Sequence, residues 1–550
     1  MVDKRLKSGL GMVMTSGSPV CFLLLVAALA LHVLTVSAFA IGVVDTKHNL
    51  SIGGPGSKTS SEEIRVCIFC HTPHHANAVG DYMPLWSREL SGANYTLYDS
   101  STIQAEPGQP TGSSRLCLSC HDGTIALGML SSGFNLLDLK HTGLENLTTD
   151  LSDDHPISFV YDMNLALTSE LQDPSLLPNE IQLEEGRLEC SSCHDAHFDF
   201  YGMFLVMDNV DSALCEACHA RDGWTFSAHA PPNAKCESCH IAHTAPQSAG
   251  LLLGNTEEET CISSCHDGTG VEANVTSDFA KFSSHPLVSS LGVHDPAEDP
   301  LTADYHVECA DCHNPHQANA TAAEAPDASG ALKGVAGVDS AGTLEDPAIY
   351  QYEVCFKCHA DNSFLSVPAV DRQIDEVNER LRFSPDNPSY HPVIAAGKNS
   401  SVPSLRTGYT VNSIIYCTDC HNSDSSTYAG GTGANGPHGS SYDHILVKRY
   451  EQGSYPLAYA ELNYDLCWQC HDPAVLMLNG SFHFRHVSSH QAPCSACHDP
   501  HGIPIGAIGG ASGTGGTYLI NFDTDIVTGT HDSGGRSCSV SCHTTNPKTY

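Results

Sequence analysis

The chain has 550 residues, 63 Asp+Glu against 25 Lys+Arg for a formal charge of −38, 25 Cys and 33 His. That charge excludes a nucleic-acid partner, because phosphate binding needs clustered Lys and Arg. Hydrophobic content of 41%, aromatics of 7%, 46 Gly and 30 Pro are too thin a basis for several conventionally packed domains and describe a loop-rich chain.

Residues 1–40 read as an export leader. Lys4, Arg5 and Lys7 form a basic start, Val20–Val36 is nearly all apolar, and Ala38-Phe39-Ala40 suits a cleavage site. Removing the three basic residues and Asp3 takes the charge from −38 to −40. The other reading of the apolar run is an uncleaved membrane anchor. Cys21 belongs to this segment and is set aside with it.

The other 24 cysteines all fall in pairs followed at once by His. Ten pairs read C-x-x-C-H. In chain order these are Cys67/Cys70/His71, Cys117/Cys120/His121, Cys190/Cys193/His194, Cys215/Cys218/His219 and Cys236/Cys239/His240. Then come Cys309/Cys312/His313, Cys355/Cys358/His359, Cys417/Cys420/His421, Cys467/Cys470/His471 and Cys494/Cys497/His498. Two motifs carry one extra spacer residue, Cys261/Cys265/His266 and Cys538/Cys542/His543. Two thiols at this spacing form thioethers to the vinyl groups of haem, and the following His comes under the iron as proximal ligand. Chance would supply roughly 0.07 C-x-x-C-H motifs at this composition, so the ten are not accidental. A disulfide scaffold does not require His after every second Cys, and a zinc ribbon lacks the recurring His. Twelve haem c groups are therefore expected.

Weaker signals lie between the motifs. Ala318–Ala341, Ser425–Ser441 and Ile505–Thr517 read as loops or linkers, Asp371–Phe383 as helical, and Tyr518–Val527 as a strand. Gly430–Gly439 is no phosphate loop, since no Lys-Ser/Thr follows it.

The motifs alternate in kind. His71, His194, His240, His313 and His498 are each followed three residues later by a second His, namely His74 (with His75 beside it), His197, His243, His316 and His501. The motifs at His121, His219, His266, His359 and His471 lack it. Pairing the two kinds gives six two-haem units, starting at Cys67, Cys190, Cys236, Cys309, Cys417 and Cys494. Residues 41–185 hold the first, 186–400 the next three, and 401–550 the last two. The fifth departs from the pattern, because His421 is followed by Asn422-Ser423-Asp424. Gly436-Pro437-His438-Gly439 lies downstream, where Pro437 stiffens the approach and the glycines permit close contact. His438 is expected to supply the missing ligand to a haem in or beside that unit.

Cys117-Leu-Ser-Cys-His-Asp-Gly-Thr124, the C-H-x-P-H sites at His71, His313 and His498, and Ser284-His285-Pro286 together resemble bacterial multihaem c-type cytochromes with doubled C-x-x-C-H motifs. Many of these come from metal-respiring bacteria. The resemblance implies a periplasmic, outer-membrane or extracellular electron carrier. It also implies that the +3 histidines His74, His197, His243, His316 and His501 ligate a neighbouring haem.

Once the proximal set and His32 are subtracted, 20 histidines remain for twelve distal positions, against six methionines beyond the leader (Met83, Met129, Met163, Met203, Met207 and Met477). Bis-histidine ligation can fill every iron and His/Met ligation cannot. His155, His285 and His391 each precede Pro, which holds the backbone extended and fixes the ring's direction. His229, His306, His490 and His531 lie three to seven residues before a haem-binding Cys. His48, His438 and His486 complete the distal candidates.

The fold expected is a mainly irregular, haem-templated chain with short helices at the motifs and little sheet, unfolded without its haems. The function expected is that of an electron carrier rather than an enzyme, a conduit for anaerobic or extracellular respiration. Its reduction potentials should be low, because bis-histidine ligation and negative surroundings favour ferric iron. Its partners would be other redox proteins, among them cytochromes and an outer-membrane conduit, an extracellular metal or mineral acceptor, or further copies of itself. The rival class is a multihaem reductase of a small nitrogen or sulfur oxyanion. That requires an open or Lys-filled iron site, and no C-x-x-C-K motif occurs. A filament-forming subunit is an assembly form of the first reading.

Overall fold

The computed structural model describes residues 42–74, 76, 84–269, 274–287, 294–362, 365, 370–504, 517–532, 537–541 and 548–549. The leader, His75, Met83, Cys542, His543 and nearly all of Ile505–Thr517 lie outside the described residues, and His531 and Cys538 are described by backbone alone.

Short elements follow from a sequence broken by Gly, Pro and closely spaced haem motifs. The longest helices are Gly112–His121 and Gln351–His359, and the longest strands, Gly529–Asp532 and Ser537–Val540, have four residues. The buried apolar residues form separate small clusters instead of one core. The largest joins Val338, Tyr352, Phe356, Ala360, Phe383 and Val393, and others hold three to five. None of the described helices is long and apolar enough to cross a membrane.

The motifs are built as single turns. In eight of them the N–H of the His donates to the carbonyl of the first Cys at 2.8–3.0 Å, as in His71 to Cys67 and His498 to Cys494. One such turn keeps both thiols and the imidazole together. The motifs at His121 and His359 instead end the two long helices. At Cys261 the helix Glu257–Cys261 passes into a π-turn, Ile262–His266. The wider i→i+5 turn absorbs the extra spacer residue.

Two local expectations are corrected. Within Asp371–Phe383 only Glu379–Arg382 is helical, capped by the Asn378 side chain accepting from Leu381 N–H. The residues before it are extended because they bond outward, Gln373 N–H to Phe522 O and Ile374 N–H to Asn521 Oδ1. Tyr518–Val527 is not a strand. Thr517–Leu519 is a 3-10 turn, and the Ile526 and Val527 N–H groups both return to Asp523 O in another tight turn.

Two of the two-residue sheets matter for the site. Ser283–Ser284 pairs antiparallel with Gly439–Ser440, and Ser389–Tyr390 with Gly502–Ile503. The first needs a glycine, because a Cβ on Gly439 would lie 1.9 Å from the Asp278 carbonyl oxygen. Asp278 itself is fully buried and held by Lys281 Nζ at 2.6 Å and the Ser423 and Ser425 hydroxyls at 2.8 and 2.9 Å.

Candidate haem sites

Ten of the twelve motif histidines face a second histidine across a nearly constant gap. The ring centroids are 5.9–6.3 Å apart in His71–His197, His121–His48, His194–His243, His219–His155 and His240–His316. The same range holds for His266–His229, His313–His438, His359–His285, His421–His501 and His498–His483. An iron with an imidazole nitrogen about 2 Å away on each side needs ring centroids roughly 6 Å apart. For His471 the neighbour is His391, which adds to the effect of burial in lowering its pKa to about 4.

The rings are fixed by their other nitrogen. Nδ1 donates to a backbone carbonyl in His71 (Pro84, 2.6 Å), His121 (Glu145, 2.8 Å), His194 (Met203, 2.8 Å), His240 (Gly250, 2.8 Å) and His313 (Ala331, 2.9 Å). His421 and His498 do the same with His444 and Tyr518. A bond of this kind sets the tautomer and leaves Nε2 for a metal. A ligand must be neutral, and burial also disfavours the charged form of His121, His194, His240 and His313. It lowers His219 to about 3 and His421 and His498 to about 4. The described motif cysteines form no disulfides. Paired thiols beside a neutral imidazole, opposed by a second imidazole, are a donor set that fits covalently attached haem.

Nδ1 partners on the opposing side are of two sorts. In His197 and His243 a carboxylate accepts, Asp195 at 3.0 Å and Asp154 at 3.0 Å, and His501 Nδ1 lies 2.9 Å from a Glu379 carboxylate oxygen as an ion-pair contact. In His48, His229 and His285 a carbonyl accepts, that of Ala196 (3.0 Å), Pro315 (3.2 Å) and Pro437 (2.8 Å). His391 likewise bonds the Pro500 carbonyl.

These contacts form a repeated clip. Each carbonyl just named belongs to the residue before another opposing histidine, so His48 is joined to His197, His229 to His316, His285 to His438 and His391 to His501. His155 is joined to His243 through its own N–H and the Ala242 carbonyl. Every clip serves both motifs of one unit. The upstream histidine faces the second motif, and the downstream one, supplied by the next unit, faces the first. His438 fills the +3 role missing from the fifth unit and faces His313 of the fourth, while His421 faces His501 of the sixth.

Four distal candidates stand elsewhere. His306 turns into a cluster with His294, Glu298 and Asp311, because its Nδ1 is tied to the Asp304 carbonyl. His486 lies against Phe482 and His490, His490 thus facing His486 and not a described motif histidine. His74 is exposed. Conversely, His483 opposes His498 and was not among the candidates. No spacing rule marked it: it neither precedes Pro nor follows a motif histidine by three residues, and it stands 11 residues before Cys494.

Successive motifs also lie against one another. The Cys261 and Cys309 sulfurs are within 4.8 Å. The Ser114 hydroxyl of the Cys117 helix accepts from Cys190 N–H, the Ser212 hydroxyl before Cys215 accepts from Cys236 N–H, and Gln351 of the Cys355 helix bonds Thr418 of the Cys417 turn. Burial pushes Cys70, Cys193 and Cys467 up to about 12, and the neighbouring Cys120, Cys218 and Cys494 add to the rise. Burial and then Cys265 raise Cys239. Cys312 and Cys420 are also raised to about 12 by burial, with Cys358 and Cys470 among the contributing neighbours. The first eleven motifs are thus neighbours in sequence order, close enough for their thiols to influence one another.

A family model for the doubled CXXCH motif matches residues 183–223, the stretch holding Cys190–His194 and Cys215–His219. No curated protein matches the chain. The match and the recurring motif support haem c binding.

Proposed function

We propose that this chain is a dodecahaem c-type cytochrome whose haems form one electron-transfer conduit ordered as the motifs are ordered in sequence. The observation that carries this reading is that successive motifs from Cys67 to Cys497 are neighbours in the order of the chain. Haems attached at those cysteines would follow the same order. Haem c supplies reversible one-electron chemistry at its iron. The chain's own part is to hold the sites in order and to set an imidazole on each side of ten described sites, many of them aimed through Nδ1, so that no open iron position would be left there for a substrate. Histidine in place of an open site favours a carrier over a reductase. The basic, apolar and small-residue succession of residues 1–40 supports export, with work beyond the inner membrane in anaerobic or extracellular respiration and other redox proteins as partners.

Mass spectrometry of the mature holo-protein tests the count, with twelve haem additions and loss of the leader as the expected result. Eleven would exclude the Cys538 motif, and ten both extra-spacer motifs. A substantial high-spin ferric signal together with nitrite binding would overturn the carrier reading. Protease accessibility on intact cells separates the periplasm from the cell surface.

A further inference from the structure

The structure brings together a metal-ligating cluster that the haem sites do not use. His294 Nδ1 lies 3.0 Å from Asp311 Oδ1 and 3.3 Å from Glu298 Oε1. His306 Nε2 lies 3.0 Å from the same Glu298 oxygen and 3.4 Å from the same Asp311 oxygen. All four donor atoms are within 4.8 Å of one another. The side chains are 7–18% exposed, His306 the most buried.

We propose that His294, Glu298, His306 and Asp311 form a closed site for one divalent transition-metal ion, with zinc the best match. Two imidazoles and two carboxylates are a donor set suited to zinc, which takes four ligands tetrahedrally at about 2.0–2.2 Å. The edges of such a tetrahedron are about 3.3 Å long, and the four nitrogen-to-oxygen separations here, 3.0–3.4 Å, bracket that length. Each ring nitrogen bonds one carboxylate at 3.0 Å, His294 to Asp311 and His306 to Glu298, and also lies 3.3–3.4 Å from the other, so that all four donors face one small volume. The supporting bonds are also those of a metal site. His306 Nδ1 donates to the Asp304 carbonyl at 2.6 Å, which turns Nε2 inward. Asp311 Oδ2 accepts from Glu308 N–H at 2.7 Å, which leaves Oδ1 for the centre.

The pair is not another haem site. Its rings are 6.2 Å apart, yet neither histidine follows a Cys pair, and the two carboxylates occupy the space a porphyrin would need. The charge balance agrees with a cation. Glu308 and Glu257 lie close by, accepting from His294 N–H and Ala310 N–H respectively. The surroundings are therefore more negative than two imidazoles can offset. With four protein ligands and no open position the site is structural. Asp311 is a spacer residue of the Cys309-x-x-Cys312-His313 motif, so the ion would fasten residues 294–306 to that attachment turn and neutralise the two carboxylates beside it.

The test uses the full holo-protein. After chelator treatment and dialysis against zinc, elemental analysis should find one tightly held zinc per chain. X-ray absorption at the zinc edge should show two imidazoles in a four-coordinate shell. The His294→Ala/His306→Ala double variant should lose the zinc and keep its haem content, which separates this site from the conduit reading. Absence of bound zinc in the unmodified protein, equal zinc in the double variant, or a zinc edge without imidazole scattering would each overturn the proposal. If the double variant fails to mature, Glu298→Gln preserves shape and removes one anionic donor. Its zinc affinity should fall at least tenfold, and an unchanged affinity would overturn the proposal equally.

Discussion

Replacing His438 with Ala should open one iron position, that above His313, and leave the others as they are. The imidazole is half-buried at a ring distance of 6.2 Å from His313. Phe279 packs edge-on against it at 5.6 Å, and its Nδ1 has no hydrogen-bond partner. Among the described residues no other histidine ring lies against His313 at this distance, so truncation admits water or a small ligand in place of a nitrogen donor. Electron paramagnetic resonance of the oxidised variant should show a high-spin ferric signal of about one twelfth of the haem iron, one site among twelve motifs. The reduced variant should bind one carbon monoxide per chain. The assignment to His313 is checked by adding Cys309→Ser and Cys312→Ser, which abolish attachment there and should remove the new signal. Gly436→Ala provides a graded version. Its Cβ would meet His438 Cε1 at 3.0 Å from a backbone at φ +126, a conformation costing a non-glycine residue about 1–3 kcal/mol, so the ring is displaced rather than lost. A fully low-spin His438→Ala protein refutes the pairing. So does a high-spin signal that survives loss of the Cys309/Cys312 haem but vanishes with loss of the Cys417/Cys420 haem.

Lys281→Met strands the buried Asp278 and should destabilise the protein by about 3–5 kcal/mol, read as a shift in the denaturant midpoint. Burial alone would raise Asp424, but Lys281 at 2.6 Å more than offsets it and holds the carboxyl below its ordinary value. A depressed folded-state pKa means the contribution is in place above the ordinary carboxylate range and is lost as pH falls through the lowered value. Acid titration of the unmodified protein should therefore lose this stability at low pH, while Lys281→Met should lack that part of the dependence. The facing rings are closer to parallel at first motifs, 8° at His240 and 9° at His71, than at second motifs, 75° at His121 and 77° at His219. Low-spin ferric spectra should accordingly resolve two classes of site, and a single homogeneous class would count against these geometries. Asp154→Asn removes the carboxylate from His243 Nδ1, which makes that imidazole a weaker donor. The reduction potential of the haem on His194 should rise in a redox titration, and an unchanged set of potentials would show that the hydrogen bond has no such influence.

The sequence by itself determined the local chemistry. A Cys pair followed by His needs one turn of backbone to place two sulfurs and an imidazole together, and the i→i+4 bond from His71 to Cys67 or His498 to Cys494 is formed within five residues. The largely irregular fold was legible for the same reason, since short segments rich in Gly and Pro cannot sustain long elements. Which imidazole faces which motif was decided only by tertiary structure. His438 lies 17 residues beyond His421 in sequence yet faces His313, because pairing of Ser283–Ser284 with Gly439–Ser440 carries it there beside His285. His306 and His490 lie as close before a Cys as His229 does, and only His229 is turned toward a motif histidine, by the Pro315 carbonyl. Spacing along a chain constrains atoms within about one turn. Beyond that, the direction of a ring depends on which distant backbone accepts its Nδ1 proton. The same limit hid the cluster of His294, Glu298, His306 and Asp311, whose members span 18 residues and meet only when the chain folds back onto the Cys309 turn.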